Sequence, residues 1–208
     1  MKEFFEKYSH LKSVLYFFIF YLIGFTFLEN KFNSNASVLM TDSILDQYIP
    51  FNEYFVIPYL LWFVYIALGF AYFIFKDQEN FNRMCFYLFW GMGISLLICL
   101  LIPNGQNLRV DLANENICQQ LVSFLYSTDT STNVFPSIHA YNSIMMMVSL
   151  LKSEKFRKHK ILSVIVVVLS VLICMSTVMI KQHAVVDVIG SIILSIIIYM
   201  VGKLKYGY

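Results

Sequence analysis

The sequence predicts an all-α membrane protein of six transmembrane helices with both termini in the cytoplasm, and three observations predict it. The 208 residues are 59% hydrophobic, 17% aromatic and only 13% charged, with a mean hydropathy of +0.67, too little charge to cover a soluble domain of this size. The apolar residues fall in continuous runs rather than alternating, which favours helices over a barrel, since a helix satisfies its backbone within one segment. Lysine and arginine are heavily biased to one set of loops.

Taken in order, apolar runs near residues 11–28, 54–75, 84–102, 137–151, 161–180 and 184–202 approach the roughly 20 residues a hydrocarbon core requires. The first follows Lys2, Lys7 and Lys12 and resembles a signal peptide, but it is bulky and aromatic with no small-residue cleavage site close behind, so a retained anchor is expected. The fourth is the shortest, and a re-entrant helix is its alternative reading. Gly91 and Gly93 in the third suggest close helix approach. Met145, Met146 and Met147 read as packing or lipid-facing residues, and Trp62 and Trp90 as ordinary membrane-helix residues.

Twelve of the fifteen cations lie on one side of this layout, in the N-terminal segment, at Lys76 and Arg83, between Lys152 and Lys160, and at Lys203 and Lys205. Only Lys31, Arg109 and Lys181 lie on the other, which makes that side extracytoplasmic, and the plasma membrane is the expected location. The Lys152 to Lys160 run reads first as a topology signal, with an anionic-lipid or nucleic-acid patch as the weaker alternative. Of four cysteines only Cys118 falls in an external loop, so no disulfide framework is expected. No repeat or linker divides the chain, and residues 1–208 read as a single domain.

External loops 29–53 and 103–136 carry part-amphipathic stretches, Leu39, Ile44, Leu45 and Tyr48 in one and Leu112, Ile117, Leu121, Val122 and Leu125 in the other. They are expected to lie along the membrane and frame a lipid entrance. The same face gathers Arg109, Ser137, His139, Lys181, His183 and Asp187 from distant parts of the chain. His183 and Asp187 are spaced i, i+4, so on one helical face the carboxylate fixes the imidazole tautomer and leaves the other ring nitrogen free to attack phosphorus. The blander alternative has Asp187 pairing with Lys181 or capping the helix. Pro136-Ser137 reads as a helix opening whose free amides, with that of Ile138 among them, form an anion site, and His139 follows one turn in.

Phe135-Pro136-Ser137-Ile138-His139, and Ser176-Thr177 followed after five residues by His183-Ala184-Val185-Val186-Asp187, resemble the second and third motifs of the type-2 phosphatidic acid phosphatase superfamily. Asn104-Gly105-Gln106-Asn107-Leu108-Arg109 resembles the end of the first. The resemblance implies that His183 takes the phosphoryl group as a phosphohistidine, Asp187 orients it, and His139 protonates the leaving alkoxide. It further implies that Arg109, Ser137 and the following amides hold the phosphate oxygens. The pattern departs where Ile102 replaces the family's usual lysine, Val110 its proline and Thr177 its arginine. Lys181 and Gln182 are the expected substitutes, and Lys181-Gln182-His183 resembles the branch containing sphingomyelin and inositol-phosphorylceramide synthases.

The function expected is therefore hydrolysis of a lipid phosphomonoester or diphosphate such as phosphatidic acid, phosphatidylglycerophosphate or polyprenyl diphosphate. Headgroup transfer to a lipid acceptor, or lipid-phosphate binding without turnover, are the alternatives. No cofactor, metal or nucleic-acid partner is expected, and nothing in the sequence sets an oligomeric state.

Overall fold

The computed structural model describes residues 11–32, 38–113 and 115–207, so Lys2 and Lys7 of the charge argument, and residues 33–37 of the first external loop, lie outside the described residues. The helices are α1 Leu11–Lys31, α2 Val56–Phe75, α3 Phe81–Leu101, α4 Ile117–Thr128, α5 Ile138–Lys152, α6 Glu154–Arg157, α7 Lys160–Met179 and α8 Val185–Tyr206. Single 3-10 turns at Ile44–Gln47, Glu53–Phe55 and Gln78–Asn80 lie between them. Two two-residue strands, β1 Leu39–Met40 and β2 Asn104–Gly105, pair in parallel and tie the loop after α1 to the loop after α3, a small addition to the all-helical expectation.

Among the described residues, five helical segments are long and apolar enough to cross a membrane: Val14–Lys31, Glu53–Phe75, Gln78–Leu101, Lys160–Met179 and Val185–Tyr206. The fourth apolar run, expected as the shortest span, is not among them. As α5 it has 15 residues, about 22 Å at 1.5 Å per residue, short of a hydrocarbon core about 30 Å thick. Its burial explains how a short, less apolar helix is accommodated: α5 packs against α2, α3, α7 and α8, with Tyr141, Ser143, Met145 and Met146 fully enclosed. Polar residues are tolerated there because they bond back into the bundle, as Ser143 Oγ does to His139 O at 2.7 Å and Ser149 Oγ to Met145 O at 2.7 Å.

Packing follows residue size. A Cβ on Gly91 would collide with the Tyr141 ring, so its absence lets α3 meet α5 there, whereas Gly93 faces open space and makes no such approach. Met145 and Met146 are core residues. α1 attaches by one edge, through Phe17 stacked on Phe89 at 4.0 Å between centroids and Leu28 against Leu96 and Cys99, and leaves Phe18, Phe20 and Ile23 exposed as lipid-facing residues are. All four cysteines are free thiols.

The ends of the helices sort the chain's polar chemistry. α2 ends, α3 begins, α5 ends and α8 ends at the pole that carries Lys76, Arg83, Lys152, Arg157, Lys203 and Lys205. α2, α5 and α8 begin, and α3 and α7 end, at the other pole, where Arg109, Ser137 and His183 lie. At the cationic pole Asp77, fully buried, accepts from Ser153 Oγ and stands 3.7 Å from Lys155 Nζ.

Candidate active site

Local chain geometry brings the three motif segments together. α3 stops before Pro103, whose ring lacks an amide hydrogen and disfavours helix in the preceding residue, Ile102. The chain then runs through Asn104, whose Oδ1 accepts from Phe135 N at 2.8 Å and whose backbone carbonyl accepts from Asn133 N at 2.7 Å. Gln106, buried, donates from Nε2 to Lys181 O at 3.0 Å and accepts from Leu108 N. The first motif is thus bonded to both of the others.

Ser137 begins α5 with extended dihedrals, and its Oγ accepts from Ala140 N at 3.4 Å, as an N-cap does. Its own amide donates to Asp187 O at 3.2 Å, and Ser191 Oγ donates to the carbonyls of both Ser137 and Asp187 at 2.7 and 2.8 Å. The starts of α5 and α8 are therefore held side by side, with Ile138 in the first turn of α5.

Between α7 and α8 the chain turns sharply. Gln182 N and His183 N both donate to Thr177 O at 3.0 Å, and Lys181 takes a left-handed φ of 56°. The Thr177 hydroxyl, at the position of the family's arginine, bonds back to Cys174 O at 2.8 Å. Ile102, at the position of the family's lysine, is exposed.

His183 Nδ1 lies 3.4 Å from Asp187 Oδ2, and the same oxygen accepts from Ala184 N at 2.9 Å. Asp187 is fully buried and its Oδ1 has no partner among the described residues. The carboxylate thus lies against the imidazole and also caps α8, so one of the two bland readings holds. The other does not. Lys181 Nζ donates instead to the carbonyls of Asp46 and Ile49, at 3.0 and 2.6 Å. Burial pushes the Lys181 ammonium below its ordinary value, with Asp46 opposing.

His139, the second residue of α5, has its ring centroid 6.0 Å from that of His183. Tyr59 and Trp62 of α2 lie against it at 4.6 and 4.5 Å, so Trp62 is no ordinary lipid-facing residue, although Trp90, 58% exposed, is. The indole Nε1 of Trp62 is buried without a partner. The spacing i, i+3 of Tyr59 and Trp62 was the available signal, but it cannot be told from a packing stripe without knowing what it faces.

Arg109 is half-buried. Its Nη1 donates to Tyr126 O, its Nη2 to Thr130 O and to Gln182 Oε1, each at 2.8 Å, and its guanidinium lies 4.7 Å from the Tyr126 ring centroid. Arg109 Nε and Gln182 Nε2 are buried donors with no partner among the described residues. Burial pushes the Arg109 guanidinium down and Asp129 opposes this, while burial pushes the Tyr126 phenol up to about 12.

Three acidic residues at this pole escaped the sequence reading. Asp46, buried, accepts from Val185 N through Oδ1 at 2.8 Å and from Ser43 N and Oγ through Oδ2 at 2.8 Å, locking the Ile44–Gln47 turn onto the start of α8. The Ser-x-x-Asp pattern at 43–46 was its readable signal. Glu29 accepts from Thr130 Oγ1 and Asn133 Nδ2. Asp129 has its carboxyl pushed up by burial and by Glu29, against the opposing pull of His183 and Arg109. Among the described residues no three His, Cys, Asp or Glu side chains converge as a metal site.

No curated protein and no solved structure matches the chain. Residues 113–206, which carry Ser137, His139, His183 and Asp187 but not Arg109, match the family model of the PAP2 superfamily.

Proposed function

We propose that the protein is a lipid phosphatase that removes phosphate from a phosphomonoester or diphosphate lipid through a phosphohistidine, without a metal ion, at the extracytoplasmic face of the plasma membrane. The observation that carries this reading is the His139, His183 and Asp187 constellation: two imidazoles 6.0 Å apart, one of them held by a buried carboxylate. With its Nδ1 hydrogen directed at Asp187, His183 keeps a lone pair on Nε2.

Nε2 attacks phosphorus, the P–O bond to the lipid breaks, and His139, which takes up a proton with the phosphate anion beside it, gives that proton to the departing oxygen. Water then attacks phosphorus while His139 takes the water's proton, the P–N bond breaks to release the His183 imidazole, and inorganic phosphate leaves. The amides at the start of α5, with Ser137 and Ile138, and the side chains of Arg109 and Gln182 stabilise the charge on the transferring group. The unpartnered donors Arg109 Nε and Gln182 Nε2 support this assignment, since buried donors left unpaired are costly unless a ligand receives them. Lys181, bonded to two carbonyls, contributes its charge to the site's potential and sets the turn that carries Gln182 and His183.

In this reading the cationic pole is cytoplasmic and α5 is the sixth, inner element of the bundle. A second reading, transfer to a lipid acceptor, is favoured by exposed apolar side chains on both external segments, Leu39, Ile44 and Tyr48 on one and Ile117 and Phe124 on the other, which would bring a second lipid to the same pole.

Purified protein incubated with labelled phosphatidic acid or polyprenyl diphosphate, with and without diacylglycerol or ceramide, separates these readings. Free phosphate regardless of acceptor, undiminished by EDTA, is the expected result. Headgroup recovered on the acceptor identifies a transferase, and neither product leaves a lipid-phosphate binding protein.

A further inference from the structure

A groove of about 430 Å³ opens between α5 and α8 at the pole opposite His139 and His183. Its cationic end at Lys152 lies thirteen positions along α5 from His139, roughly 20 Å at 1.5 Å per residue, and neither His139 nor His183 lines the groove. Its walls are apolar, with Ile144 and Val148 on α5 and Ile192 and Ile196 on α8, and the latter two are 44% and 54% exposed on the outer face of the bundle. One end is cationic, lined by Lys152 and Arg157.

Those two cations are placed by built structure. Arg157 ends α6, which Ser153 caps by accepting from Phe156 N at 3.2 Å, and Ser153 is itself bonded to buried Asp77. Asp77 and Glu79 take Lys155 as their cation at 3.7 Å, and among the described residues no carboxylate lies within ion-pair distance of Arg157. Lys152 Nζ sits 5.4 Å from the centroid of Tyr199, a groove residue, which holds the ammonium at the groove's mouth.

We propose that this groove binds one anionic phospholipid from the surrounding leaflet, with an acyl chain along the Ile144, Val148, Ile192 and Ile196 walls and the phosphate between Lys152 and Arg157. Apolar walls at membrane depth favour a hydrocarbon chain over water. A paired lysine and arginine at the bundle's cationic end match a phosphodiester, and basic pockets between membrane helices commonly take such headgroups. The Lys152 to Lys160 run thus serves lipid recognition as well as topology. The proposal is independent of the catalytic reading, because none of these residues belongs to the His183 cluster.

Native mass spectrometry of the detergent-purified full chain, titrated with phosphatidylglycerol and separately with phosphatidylcholine, tests it. Wild type is expected to retain one phosphatidylglycerol in preference to phosphatidylcholine. K152Q/R157Q should weaken that binding roughly tenfold or more, and I196W, which fills the groove, should abolish it. K203Q/K205Q, which removes two charges at the same pole outside the groove, should leave it unchanged. Equal retention of the two lipids by wild type, or unchanged binding in K152Q/R157Q when thermal unfolding shows that variant folded, overturns the proposal.

Discussion

Arg109 Nη2 donates to Gln182 Oε1 at 2.8 Å, joining residues 73 positions apart and linking the loop after α3 to the residue before His183. Through this bond a cation from outside the matched segment reaches the turn that presents His183, the proposed nucleophile. Burial of the guanidinium against Tyr126 makes its geometry rigid, which suits phosphate recognition better than a mobile charge. Arg109→Lys keeps charge but loses the fork, and is expected to reduce kcat/KM by about 10- to 100-fold, while Gln182→Ala gives a smaller loss of the same kind. Steady-state kinetics on a water-soluble phosphomonoester would show it; an Arg109→Lys enzyme with wild-type kcat/KM would remove the guanidinium from phosphate binding.

His183→Ala is expected to lower turnover by at least about 10³-fold without altering the thermal unfolding of the detergent-solubilised protein. Asp187→Asn retains an acceptor for Ala184 N but mis-sets the imidazole tautomer, so activity should fall steeply with little loss of stability. Acid-labile phosphate trapped on wild type and absent from His183→Ala is the direct check, and label retained by the alanine variant would point to another nucleophile.

Lys181→Met is expected to act on stability as well as catalysis. The variant loses two charge-assisted bonds to Asp46 and Ile49 carbonyls, together about 1–3 kcal/mol, and loosens the turn before His183. A lower unfolding temperature with reduced substrate affinity fits the proposed roles, whereas unchanged affinity in a folded variant would restrict Lys181 to structure.

Trp62→Phe keeps an aromatic face on His139 but discards the indole donor, and Trp62→Ala discards both. Activity is expected to survive the first within about 10-fold and to fall further in the second, because the ring positions the proposed general acid. Equal kinetics for the alanine variant and wild type would show that Tyr59 alone holds the imidazole.

Asp129 gives a pH signature. Its carboxyl is held above the ordinary value by burial and by Glu29, so the folded state binds its proton more tightly than the unfolded chain does. The stability this contributes is present below the ordinary carboxyl value and is lost as pH rises through the raised one. Asp129→Asn should therefore unfold at a higher temperature than wild type near neutral pH and show a flatter profile across the acidic window. Parallel melting curves of the two proteins across that range measure it.

Composition and hydropathy alone determined that this is a helical membrane protein, because long apolar runs have one stable solution in lipid. Motif spacing alone named His139, His183 and Asp187, since i, i+4 pairing and a Pro-Ser helix opening are local properties of the chain. Tertiary structure decided what no local pattern contains. It buried the short α5 inside the bundle, turned Lys181 toward the Asp46 and Ile49 carbonyls, stacked Tyr59 and Trp62 on His139, and brought Asp46, Glu29 and Asp129 to the same pole. Each of these depends on contacts between residues tens to more than a hundred positions apart, and such contacts are selected by packing and hydrogen-bond satisfaction across the whole bundle rather than by the sequence on either side.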